Sequence, residues 1–87
     1  MADVVASIVE KVLMNIGLGA YARVRDALHA NNIAFLDCYQ NPLVLKSALE
    51  QVFNHDYVPV VERIKNEFGS LADDDHDLAN FIQKLNG

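Results

Sequence analysis

The chain holds a single cysteine, Cys38, and that scarcity excludes an internal disulfide and any metal site built on paired thiolates. Basic residues are few as well, seven Lys and Arg against twelve Asp and Glu, for a net charge of −5 and a pI near 4.9. Phosphate binding needs clustered cations to displace counterions, so this balance argues against nucleic acid and against an anionic membrane surface as partners. No apolar run approaches the ~20 residues that span a bilayer, and the opening MADVVASIVE lacks the basic flank of a secretory signal. A cytoplasmic protein is the expectation, and an unpaired cysteine suits a reducing compartment.

Glycine is also scarce, yet apolar residues make up 52% of the 87 positions, slightly above the usual ~45–50%. A chain of this length is read as one domain spanning residues 1–87, able to bury roughly 60–65% of its extended surface. A small globule has little interior for that much apolar material, so some is expected to meet a partner, and a second copy is the simplest one.

Val4, Val5, Ile8, Val9, Val12, Leu13 and Ile16 recur at three- and four-residue spacing, which predicts a first helix that Gly17 and Gly19 stop. Its stripe fills both the 4-8-12-16 and 5-9-13 rows, wider than one core face requires. Val5, Ile8, Val9 and Val12 are therefore the expected dimer face. A second helix turns Tyr21, Val24, Ala27 and Leu28 inward and breaks at Asn31 and Asn32. Ile33, Phe35 and Leu36 form an apolar anchor in a loop or single helical turn, because no second strand exists to pair with them.

Asn41 followed by Pro42 predicts a helix start, with the asparagine capping a backbone N–H and the proline at the first helical position. Leu45, Ala48, Leu49, Val52 and Phe53 form its inner face, and Asn54 ends it in a left-handed turn. Asp56 is expected to cap a fourth helix, in which Tyr57, Val60, Val61, Ile64 and Phe68 face inward, Pro59 sits in the first turn and Gly69 is the stop. A last helix follows the acidic run Asp73 to Asp75, with Leu78, Phe81, Ile82 and Leu85 on one face and Lys84 near its end, charges that suit the helix dipole. The fold class is all-α, a compact bundle of four to five short helices.

No catalytic constellation emerges. Asp73, Asp75 and Asp77 imitate the first ligands of a calcium loop, but Leu78 stands where glycine is needed and Lys84 where the closing glutamate belongs. His29, His55 and His76 are too far apart in sequence for two of them to share a helix face, so neither a metal nor a cofactor is expected. Cys38 would need a nearby histidine to act as a nucleophile, and Asp37 beside it opposes thiolate formation. A buried, inert corner residue is the plainer reading. The helices around Asn54-His55-Asp56 offer no basic recognition face, since Arg63 and Lys65 are matched by Glu62 and Glu67.

The run AFLDCYQNPLVLKSALEQVFNHDYVPVVERIKNEFG, residues 34–69, carries a further clue in Asp37, Cys38, Tyr39, Asn41 and Pro42, with Phe53, Tyr57, Ile64 and Lys65 behind them. It resembles a family of small archaeal domains, found alone or attached to signalling modules and named as output domains of the nitrosopumilus group. Asn54 replaces that pattern's glycine, Gln40 and Leu43 stand where acids are frequent, and Pro59 is unexpected. The loss of two acids puts any electrostatic partner site of the family in doubt. The resemblance implies a non-enzymatic regulatory or interaction module, with no catalytic residue to carry over.

The expectation from the sequence is thus a signalling or interaction domain, homodimeric, binding a protein or small ligand through helix surfaces. The alternative is a carrier of apolar small molecules with a pocket between the first and fourth helices. Asp37, Cys38, Tyr39, Asn41 and Pro42 are the expected structural or interaction residues. In them Asp37 would cap a single turn, Cys38 face inward, and the Tyr39 hydroxyl find a backbone partner.

Overall fold

The computed structural model describes residues 2–69 and 71–86, and of these the side chains of all but 72, 73 and 86. Among the described residues every regular element is helical: α1 (Ala2–Ile16), α2 (Leu18–Ala30), α3 (Pro42–Phe53), α4 (Tyr57–Phe68), the short α5 (Leu71–Asp74) and α6 (His76–Asn86). Two 3₁₀ turns, Phe35–Asp37 and Asn54–Asp56, lead into α3 and α4. The Cα radius of gyration is 11.6 Å, against about 12 Å for a compact chain of this length. The all-α bundle expected from helical periodicity is the observed fold.

Helix α1 packs against α2, against α4 and against the first 3₁₀ turn. A helix with neighbours on several sides needs more than one apolar row, and that is what the wide stripe supplies. Val5, Val9 and Leu13 have no solvent exposure and Val12 only 3%. This corrects the expected dimer face: Val5, Val9 and Val12 lie inside the protein's own core, with Ile8 packed against it. The exposed side of α1 instead carries Val4, Ser7, Lys11, Met14 and Asn15. Lys11 reaches across to Glu67 of α4 at 3.2 Å, an exposed pair of small energetic weight.

Between α1 and α2 the chain breaks at Gly17 alone, while Gly19 falls within the first turn of α2. Helix α2 ends in a pair of backbone bonds, from the Ile33 N–H to the Leu28 carbonyl (3.1 Å) and from the Asn32 N–H to the His29 carbonyl (2.9 Å). This is a Schellman closure, and Asn32 takes the left-handed residue at φ 63°. Asn54 (φ 54°) and Gly69 (φ 52°) end α3 and α4, also at positive φ.

Phe35 is buried and stacks on Tyr21, with ring centroids 5.3 Å apart and planes 7° from parallel. Leu36, expected to join the anchor, is instead 57% exposed. A three-residue 3₁₀ turn points successive side chains about 120° apart, so Phe35 and Leu36 cannot share the core. Leu45, Ala48 and Leu49 of α3, Val60, Val61, Ile64 and Phe68 of α4, and Leu78, Phe81, Ile82 and Leu85 of α6 complete the interior. Helix α3 packs on α2, α4 and α6, and α6 packs on α4.

Helix α6 starts at a real side-chain cap, the Leu78 N–H donating to Asp75 Oδ1 at 3.1 Å. The side chain of Asp73, which the sequence places in the same acidic run, lies outside the described residues. Asp75→Ala should cost about 1 kcal/mol, read as a lowered urea midpoint at unchanged slope. An unaltered midpoint would mean that the cap adds nothing. Asp56, by contrast, makes no capping bond to α4, because the chain enters already wound by the preceding 3₁₀ turn.

Candidate functional site

The segment from Ala34 to Pro42 is a corner held by a series of local hydrogen bonds. Cys38 donates its N–H to the Phe35 carbonyl (3.1 Å), Gln40 to Asp37 (3.2 Å) and Asn41 to Cys38 (3.1 Å), so one tight turn follows another. Asp37 Oδ2 accepts the Ala34 N–H at 3.0 Å, which tethers the start of the first 3₁₀ turn as the sequence suggests. Asn41 stands at the head of α3, but its side chain makes no cap. Its Nδ2 turns back and donates to the Asp37 carbonyl at 2.9 Å, an oxygen that also accepts from Gln40. The expected cap is thus replaced by a brace across the corner, and Pro42 occupies the first turn of α3 as expected.

This bracing directs Cys38 inward, where it has no solvent exposure and its Sγ–H points to the Ala34 carbonyl at 3.9 Å. Burial, reinforced by the charges of Asp37 and Glu10, pushes its thiol from an ordinary 9.0 up to about 12. A neutral, enclosed thiol is poorly suited to nucleophilic attack. The shift also has a consequence for stability. Between about pH 9 and about 12 the unfolded chain has lost this proton while the folded chain keeps it. The contribution is therefore complete below the unfolded value and lost as pH rises toward the folded one, at ~1.4 kcal/mol per unit. Urea titrations from pH 8 upward should show a steeper decline for the wild type than for Cys38→Ala; parallel curves would mean an accessible thiol.

Tyr39, next in the chain, turns to the other side. Its ring is half-buried against Phe81 of α6 at 5.7 Å, tilted by 47°. Desolvation and the nearby Asp77 and Asp75 carboxylates raise its phenol above the usual value. Among the described residues its hydroxyl has no backbone hydrogen bond, contrary to the sequence expectation.

Here the corner meets α6 across two adjoining clefts. One, of about 230 Å³, is lined by Tyr39, Gln40, Pro42, Asp77, Asn80, Phe81 and Lys84. The other, of about 280 Å³, is lined by Gln40, Asn41, Pro42, Leu43, Val44 and Lys84. They share Gln40, Pro42 and Lys84 and so form one groove along the surface. Four of the five residues singled out in the sequence meet here, Tyr39, Asn41 and Pro42 as lining and Asp37 as the brace behind them, while Cys38 lies beneath. Asp77, Asn80 and Lys84 were missed as lining residues. Their signal was available in the three- and four-residue spacing along the polar side of α6.

A third cleft lies at the α3–α4 turn, between Glu50, Asn54, His55, Tyr57 and Val58. None of these three clefts is lined by α1. His29, His55 and His76 are each exposed, on separate elements. Among the described residues no three His, Cys, Asp or Glu side chains are grouped to hold a metal ion. No helix in the described residues is long and apolar enough to cross a membrane.

No protein-family model, curated protein or solved structure matches this chain. The site therefore stands on its own geometry.

Proposed function

We propose that this protein is a non-enzymatic interaction module that contacts another polypeptide through the groove between the Asp37–Pro42 corner and α6. The observation that carries this reading is the groove's composition. Its apolar surface lies on the side of Pro42, Val44 and Leu43, the last left 64% exposed, and it adjoins a mainly polar stretch between Tyr39 and α6. Apolar surface bordered by polar groups is the usual anatomy of a protein contact surface. The resemblance of DCYQNP to archaeal signalling output domains agrees with it, since the groove is built on that motif. A cytoplasmic setting fits the reduced, unpaired Cys38.

Position-specific photo-crosslinking in the cells that make the protein tests the reading. A crosslinker at position 43 should capture a polypeptide, its own chain or another, while one at the exposed Glu62 on α4 should capture little. Equal capture at the two positions, or none at position 43, would remove the groove from consideration.

A further inference from the structure

The groove's α6 wall has a pattern that specifies more than a polar rim. Asp77, Asn80 and Lys84 follow one another at spacings of three and four residues and all line the same cleft, so they form one stripe along the helix. Its ends carry opposite charges, Asp77 in the first turn of α6 and Lys84 in the last. Seven residues place them roughly 10.5 Å apart along the axis, too far to pair with each other. Among the described residues neither forms an ion pair with any other group.

Read in the opposite direction, the stripe is its own complement. A two-fold contact brings residue i of one protomer to residue j of the other and j to i. With two α6 helices antiparallel and the axis beside Asn80, Asp77 of each protomer faces Lys84 of the other, and the asparagines meet near the centre. A foreign partner would need a matching acid and base at that distance; a second copy has them by construction. The exposed Leu43 stands on the adjoining stretch of the groove and adds apolar area at the flank.

We propose that a second copy of this chain occupies the groove, with the two α6 helices antiparallel about a two-fold axis and paired through reciprocal Asp77–Lys84 contacts. This rests on the groove being a contact surface, but it names the occupant and the symmetry. It moves the expected homodimer from α1, whose stripe is core, to α6. The surface is small, so the association is weak, at the low end of specific interfaces.

Sedimentation equilibrium from about 10 μM to about 1 mM spans the affinities at issue. The wild type should dimerise within that range. Asp77→Lys alone and Lys84→Asp alone each set like charges across the axis twice and should weaken association by about tenfold or more. An equimolar mixture of the two single variants should recover at least the wild-type affinity, because every facing pair is then opposite in charge. The same charges also sit well at the helix ends, and that role alone would lower the melting temperature of each variant without any recovery on mixing. If either variant fails to fold, Asp77→Asn/Lys84→Gln serves instead and should associate more weakly than the wild type. A monomeric wild type at 1 mM, no recovery on mixing, or unchanged association of the neutral variant overturns the proposal. Crosslinking at position 43 to a foreign chain alone would also overturn it while leaving the groove as an interaction surface.

Discussion

Replacing Val9 by aspartate should unfold the protein rather than split a dimer. Val9 has no solvent exposure and sits on the row of α1 that also buries Val5 and Leu13. A carboxylate there would lose its hydration with no cation nearby to compensate, a change that costs about 3–5 kcal/mol or more. A domain of this size has roughly 4–13 kcal/mol of total stability, so a large share would be lost at a single position. Far-UV circular dichroism at 25 °C should show reduced helicity, or a melting temperature lowered by well over 10 °C. A wild-type melt accompanied by a halved mass in light scattering would instead return the α1 stripe to the role of an interface.

Phe68→Ala should have the next largest effect. Phe68 closes the inner face of α4 at 2% exposure and meets Phe81 of α6 edge to face, with centroids 6.4 Å apart and planes at 82°. Truncation removes the transfer energy of the ring and leaves a cavity, about 3–5 kcal/mol together. Urea midpoints should fall accordingly at unchanged slope. A cycle with Phe81→Ala should reveal a coupling of ~0.5–1.5 kcal/mol from the ring pair, beyond the buried area. A loss below about 1.5 kcal/mol would mean that the bundle closes over the gap. The consequence reaches the groove, because Phe81 also supports Tyr39.

The helices were legible because their apolar spacing and their stops agree. Asn32, Asn54 and Gly69 all adopt the positive φ that ends a helix, and Pro42 starts one. The two expected caps fail for different reasons. Asp56 already has near-helical backbone angles, φ −85° and ψ 7°, as the 3₁₀ turn runs into α4, whereas the Asn41 side chain is taken up by its bond to the Asp37 carbonyl. Asp75 precedes α6 and does cap, through the N–H of Leu78. Local residue type identifies where a helix begins more reliably than it identifies which atom satisfies the first amide.

The misplaced dimer face has a different origin. Periodicity shows how wide an apolar stripe is, but not how many neighbours divide it, and α1 has α2, α4 and the 3₁₀ turn around it. The groove was only half legible for the same reason. Tyr39, Asn41 and Pro42 were marked by their chemistry, whereas Asp77, Asn80 and Lys84 join them only because α6 packs beside α3.

The central claim is that Asp37 to Pro42 form a braced corner, turning Cys38 into the core and Tyr39 and Pro42 outward to the groove. Because Cys38 is the only cysteine, its reaction with a thiol reagent at pH 8 tests that claim most directly. The native protein should react only through rare global unfolding, about 10³-fold or more slower than the same protein in concentrated urea. Modification of the native protein at the rate of the unfolded chain would place Cys38 at the surface and contradict the corner from which the groove is built.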